Sequence, residues 1–281
     1  MKLVALIDGS LYSQSVCDYA AWVSKRTTGE LDLLHVLDER NRSKMDLSGN
    51  IGLGARTSLM DELAELDAQH AKLAQKKGRA ILDDAKARVV DAGVEQIECK
   101  LRHGDLVETV NVFEKDADLL LIGKRGEGAD FAKMHLGSNL ERVIRASDKS
   151  VLVVSRQFKE PKSVLLAYDG GSSSEKMIES VCTNPIYKDL NIHIVTVAAD
   201  AVVNSETLKL LENKIRDAGL EVSSEVLTGQ PASAITQFVE ENDYDLLAMG
   251  AYGHSRIRNL IIGSTTTEMI RKCLIPIILY R

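Results

Sequence analysis

Apolar positions along the chain fall into short, nearly unbroken runs, separated by longer stretches in which they return every three or four residues. Residues 3–7, 31–37, 118–123 and 150–155 are of the first kind and predict strands, and residues 96–102 predict another. Residues 11–28, about 57–92, 105–115 and 138–147 are of the second kind and predict helices. Strands that are apolar at successive positions are buried on both faces, as in a parallel sheet with helices on each side. Residues 163–168, 191–197, 221–227, 245–250 and 275–280 supply five more strands, and the polar stretch from Gln157 to Pro161 reads as a linker. The pattern predicts an α/β chain of two tandem open five-stranded parallel sheets flanked by helices, in domains 1–156 and 162–281.

The two sets of strands are copies of one unit. KLVALIDGS from Lys2 matches SVLLAYDGGS from Ser163, which aligns Asp8 with Asp169. ADLLLIGKRG from Ala117 matches YDLLAMGAYG from Tyr244, aligning Gly123 and Gly126 with Gly250 and Gly253. Gly137-Ser138 then aligns with Gly263-Ser264, and VLVV from Val151 with IILY from Ile277. Between Asp8 and Gly104 the first copy holds 36 residues more than the second holds between Asp169 and Gly229. This insertion, about 38–75, contains Gly49, Gly52 and Gly54, read as a loop because no strand precedes them and no GK[ST] follows. After it, Leu59, Leu63, Leu66 and Leu73 mark a long amphipathic helix that Ser58 and Asp61 would open as a capping box. The last strands of the copies, VLVVS and PIILY, are expected to meet across a pseudo-twofold axis and cover each other's edges. The halves would then pair as an intramolecular pseudo-dimer, with further homodimerisation open.

Composition narrows the function. Of 281 residues, 44% are hydrophobic, enough for a full core in each half, and the formal net charge of −6 offers no general attraction to nucleic acid. No apolar stretch reaches the ~20 residues of a membrane span, and the opening run is too short for a signal-peptide core. A soluble, cytoplasmic protein is expected. Cys17, Cys99, Cys182 and Cys273 are scattered singly, without CxxC or metal-ligand spacing, and read as buried free thiols.

Open parallel sheets bind ligands beyond the carboxyl ends of their strands, where the strand order reverses. Asp8, Asp169, Gly123 and Gly250 fall at such ends. Gly250 and Gly253 would let a ligand approach the main chain, and Gly263-Ser264-Thr265 would open a helix whose free N–H groups suit a phosphate. His254, Arg256 and Arg258 could add positive charge from the solvent side. Structural readings stand beside these. The glycines can serve turns, Ser264 can be an ordinary helix cap, and Asp8 and Asp169 can bond their own backbone two positions on. His35 reads as a packed histidine, and Trp22 and Cys17 as the inner face of the first helix.

The spacing glycine, two residues, glycine, nine residues, glycine, small hydroxyl residue resembles the nucleotide-binding signature of the universal stress protein family. The second half matches it without gaps, and the ordered set recurs in both halves: Asp8 and Asp169, His35-Val36 and Thr196-Val197, Gly104-Asp105 and Gly229 to Pro231. The resemblance implies that Asp169 faces the adenine and ribose, that Val197 offers backbone contacts to the base, that Gly250 and Gly253 line the ribose-phosphate, and that Gly263, Ser264 and Thr265 hold the phosphates. It carries the same roles onto Asp8, Val36, Gly123, Gly126, Gly137 and Ser138. The first half departs from the pattern, with ten residues between its second and third glycines and Asn139 in place of the usual follower. The implied ligand is ATP or another adenine nucleotide, with Mg²⁺ where the nucleotide brings it, in a stress-response protein that acts as a nucleotide-dependent binding or signalling module toward unspecified protein partners. An enzymatic alternative rests on DGGSSSEK from Asp169, which resembles the SGGxDS loop of ATP pyrophosphatases but differs at Asp169 and Ser173. No Ser/His/Asp set, HExxH or Walker lysine is found, so slow ATP hydrolysis is the most this reading supports. A third reading places an apolar or lipid-like ligand in the first half beside the insertion.

Overall fold

Leu3, Val4 and Ala5 are consecutive and all fully buried, which requires an apolar layer on each side of the strand they form. A computed structural model of the chain supplies both layers; it describes residues 1–38, 53–126, 137–198, 201–251 and 263–281. The first half runs β1 (Lys2–Leu6), α1 (Leu11–Thr27), β2 (Glu30–Leu37), α2 (Leu53–Asp91), β3 (Ile97–His103), α3 (Leu106–Phe113), β4 (Leu119–Gly123), α4 (Ser138–Ala146) and β5 (Ser150–Val154). The second half repeats the order as β6 (Ser163–Ala167), α5 (Ser172–Thr183), β7 (Asn191–Val197), α6 (Ala201–Asp217), β8 (Val222–Leu227), α7 (Pro231–Glu241), β9 (Leu246–Gly250), α8 (Ser264–Lys272) and β10 (Ile277–Tyr280).

The two expected five-stranded parallel sheets join edge to edge into one sheet of ten, in the order β3-β2-β1-β4-β5-β10-β9-β6-β7-β8. Within each half every pairing is parallel, and the halves join where β5 and β10 run antiparallel, with Leu152 opposite Ile278. An open edge strand leaves its N–H and C=O groups unpaired, so two such edges stabilise each other by completing a ladder. Residues from α1, α2, α5 and α6 pack on one face with Leu3, Ala5, Leu152, Leu166 and Ile278. Residues from α3, α4, α7 and α8 pack on the other with Val4, Leu6, Val153, Leu165 and Leu279. Each apolar layer runs through both halves without a break.

Local chemistry sets the ends of the elements. Ser10 caps α1 by accepting from Tyr12 N–H, and Asp105 caps α3 by accepting from Val107 N–H (2.8 Å) and Glu108 N–H (3.2 Å). Gly9 and Gly170, just after the first strand of each half, adopt φ of +80° and +75°, a left-handed turn that a Cβ disfavours. The linker is held by Tyr19, whose ring meets Phe158 edge-on at 4.8 Å and whose hydroxyl donates to Lys159 C=O. As expected, Cys17 and Trp22 are buried on α1 and His35 is packed in β2.

Three expectations are corrected. α2 begins at Leu53 and passes unbroken through Ser58, so the helix has no cap there; no proline interrupts residues 53–91, and Ala55 and Arg56 favour helix. Gly54 accordingly lies within the helix, while Gly49 and Gly52 lie outside the described residues. Cys99 is exposed, because β3 is the outermost strand and only one of its sides meets a neighbour; Cys17 and Cys273 are buried and Cys182 is half-buried, all as free thiols.

Candidate functional site

The strand order of each half reverses at its first strand. In the second half the chain leaves β6 for β7 and β8 on one side, then crosses back to place β9 on the other. The loops after β6 and β9 therefore diverge and leave a crevice at their carboxyl ends. Asp169 follows β6, Val197 ends β7, and Gly250 ends β9, so three of the expected site residues share this rim. Helix α5 starts from the rim on one face of the sheet and α8 on the other.

Gly263 forms the N-cap of α8 with φ −55°, and no side chain caps the helix. Its first helical bond is Thr267 N–H to Gly263 C=O, so the N–H groups of Ser264, Thr265 and Thr266 have no acceptor among the described residues. Such a turn presents donors and the positive end of the helix dipole together, which favours an anion. Ser264 is exposed and Thr265 half-buried, within reach of solvent. Thr266, which the sequence reading passed over, is buried and donates from Oγ1 to Ala251 C=O at 3.1 Å, tying the start of α8 to the end of β9. Its only sequence signal was its place in the run Ser264 to Thr267. Gly253, His254, Arg256 and Arg258 lie outside the described residues.

Asp169 is held by its own turn. Its Oδ1 accepts from Gly171 N–H (2.9 Å) and from Ser174 Oγ (2.7 Å), and Ser174 is fully buried. The first half repeats this arrangement: Asp8 Oδ1 accepts from Ser10 N–H (2.9 Å) and Ser13 Oγ (3.0 Å). Both aspartates thus make the backbone bond two positions on, and each also has a serine five positions on that the sequence reading missed. That serine fixes the carboxylate's direction, which the turn alone leaves free to rotate.

The glycines that end β4 and β9 have a packing role that needs no ligand. A Cβ on Gly250 would lie 3.1 Å from Ser173 Cβ, and one on Gly123 would lie 2.7 Å from Tyr12 Cβ. The first turn of α5 or α1 crosses so close to the strand end that only glycine fits without displacement. This crossing also separates the halves chemically. Where the second half has the small Ser173, the first has Tyr12.

Further differences follow in the first half. A Cβ on Gly126 would lie 2.9 Å from Asp8 Oδ2, and one on Gly137 would meet Arg125 Cα at 3.6 Å and Gly126 N at 3.7 Å. The strand-end loop of this half therefore lies against both Asp8 and the start of α4. Ser138 is the first residue of α4, Asn139 is exposed, and Leu140 is buried where the second half has Thr266. Val36 is half-buried at the end of β2, corresponding to Val197. Lys124, which takes the place of Ala251, reaches across to the second half and donates from Nζ to Cys273 C=O at the end of α8. Its pKa is lowered to about 8, chiefly by burial of the amine, with the nearby Cys273 opposing the shift and the Arg125 charge adding to it. His35 donates from Nδ1 to Ile7 C=O at 2.5 Å, a structural bond beneath the first-half rim.

A chain with this fold and repeat has clear relatives. The family model for the universal stress protein family matches residues 1–155 and again residues 161–281. A universal stress protein of Synechocystis sp. is 39% identical over 290 residues, covering 100% of both chains. One from Bacillus subtilis is 29% identical over 155 residues, 54% of this chain and 97% of its own length. A solved universal stress protein from Archaeoglobus fulgidus superposes with a TM-score of 0.77 over 100% of this chain and 98% of its own, at 22% identity, and shares the fold. Among the described residues no helix is long and apolar enough to cross a membrane. Matched by the family model in each half and by a relative along its whole length, the chain belongs to the universal stress protein family and carries two of its domains in tandem.

Proposed function

We propose that the second half binds an adenine nucleotide, ATP, ADP or AMP, and that its occupancy sets how the protein engages partners in a stress response. The observation that supports this most directly is the open first turn of α8, tied by Thr266 to Ala251 just after β9, whose three N–H groups have no protein acceptor among the described residues. In this reading that turn takes the phosphates, with Ser264 and Thr265 adding hydroxyl donors, and Gly253 continues the phosphate path. Asp169 receives the ribose and adenine end, and Val197 offers its backbone to the base. Mg²⁺, where present, arrives on the nucleotide.

The first half is assigned no nucleotide. Tyr12 stands at its strand end in place of Ser173, and Gly126 sits against Asp8 where a ribose would need room. One nucleotide per chain is the expected stoichiometry. Two bound per chain by equilibrium dialysis would contradict the assignment of the first half.

Gly263→Asp tests the phosphate site cleanly. A Cβ at Gly263 would have its nearest neighbour, Thr266 Oγ1, at 3.5 Å, an ordinary contact, and φ there is negative. Aspartate is moreover a better N-cap than glycine by a few tenths of a kcal/mol. The variant should melt no lower than wild type while its carboxylate takes the N–H groups and repels phosphate. Affinity for ATP should fall by about 100-fold or more in titration calorimetry, equivalent to roughly 2.7 kcal/mol. Unchanged affinity would sink the assignment.

A further inference from the structure

We propose that the N-terminal extension of α2 is a self-association surface, on which a second copy of this chain lays its own α2 antiparallel. Aligning the two halves through Gly93 and Gly219, which both follow the end of their helix with positive φ, sets α2 against α6. Helix α2 has 39 residues and α6 has 17, so the α2 residues N-terminal to about position 75 have no counterpart. They also leave the core. From residue 60 to residue 77 no position is buried; burial begins at Gly78, which packs under His35 and Leu101, and continues with Leu82, Ala85 and Val89. Gln75 touches His103 at the end of the outer strand β3, and beyond it the helix continues for ~22 Å through residues 60–74 at 1.5 Å per residue.

An unpacked helix of this length is marginal in water, because helices in proteins are held mainly by burial of an apolar face. The extension has such a face. Leu63, Leu66, His70 and Leu73 follow the alternating three- and four-residue spacing of a two-helix seam; Leu66 is 51% and Leu73 63% exposed, and neighbouring Met60 is 57% exposed.

Charge selects the occupant. Asp61, Glu62, Glu65 and Asp67 fill the first part of the extension, and Lys72, Lys76 and Arg79 follow. Two copies side by side in the same direction would align acid with acid and base with base. Turned antiparallel about a twofold axis near Ala68 and Gln69, each acidic part faces the other's basic part. Leu63 then meets Leu73 of the second copy, and Glu62 lies beside Lys76 of the second copy. The dipole of α2 does not account for this acid, because the first turn of the helix holds none and the effect fades within a turn, and it gives no reason for leucines on the same stretch. An acidic flank also disfavours an anionic membrane as the occupant.

The test uses the full chain. Sedimentation equilibrium of wild type at tens of micromolar should give a dimer. The Leu66→Glu, Leu73→Glu double variant should be monomeric and still fold cooperatively, since both side chains are exposed within a single chain. In a Cys99→Ser background, Glu62→Cys and Lys76→Cys chains should form a disulfide when mixed, and neither should cross-link with itself. A monomeric wild type overturns the proposal, as does a dimer that survives the double leucine variant. Self-cross-linking of Glu62→Cys chains overturns the antiparallel arrangement. Co-sedimentation of monomer with phosphatidylserine vesicles, lost in the double leucine variant, would assign the surface to lipid instead.

Discussion

Asp105 illustrates how much one side chain does in this fold. It caps α3 with two backbone bonds and pairs with Arg142 of α4 at 2.7 Å, fastening two helices on the same face of the sheet. The Arg142 bond is the largest influence on its carboxyl and, with the two capping bonds, holds its pKa below the usual 3.8. A carboxyl depressed on folding stabilises the protein above its unfolded pKa, and the contribution fades as pH falls through the lower folded value. Asp105→Ala should therefore cost about 1–2 kcal/mol near neutral pH by urea titration. The deficit should shrink as pH falls below about 4, where wild type loses the same interaction. A deficit independent of pH would mean that packing, not charge, is at stake. At this scale the sequence named Asp8, Asp169 and the glycines, because the repeat printed each of them twice. It did not single out Ser13, Ser174 or Thr266, since a serine or threonine in a first helical turn reads as an ordinary polar residue until its partner is known.

The elements sort the glycines by cause. Gly123 and Gly263 look alike in the signature, yet one is excluded by its neighbours and the other is not. Gly123→Ala would push a methyl to 2.7 Å from Tyr12 Cβ and should cost about 1–3 kcal/mol in thermal or chemical unfolding. Adding Tyr12→Gly, which removes that Cβ, should recover part of the loss. Gly263→Ala should cost less than 1 kcal/mol, because its Cβ has ordinary contacts. Equal costs at the two positions would refute the packing account. Strand and helix positions were readable from periodicity to within a few residues, because strands buried on both faces leave an unmistakable apolar run. The start of α2 was not readable, since Ser58 with Asp61 imitates a cap and only the continuous backbone excludes it.

As a whole, the molecule is one sheet and two apolar layers that cross from one half to the other. Leu152 and Ile278 face each other at the seam and are both buried. Leu152→Asp would bury an unpaired carboxylate there and should cost more than about 3 kcal/mol, destabilising both halves rather than the first alone. Wild type should unfold in a single calorimetric transition. Two separable transitions, with only the first moved by Leu152→Asp, would show that the seam does not couple the halves.

Periodicity, the duplicated motifs and their spacing were enough to determine that this chain is a tandem α/β protein with a phosphate-suited helix start in its second half. Those features are local, and each repeats along the chain. Only the tertiary structure decided that each apolar layer runs unbroken through both halves, that Tyr12 and Gly126 crowd the first rim, and that the front of α2 leaves the core. These outcomes depend on which atoms from distant positions arrive at the same place, and spacing along a chain carries no record of that.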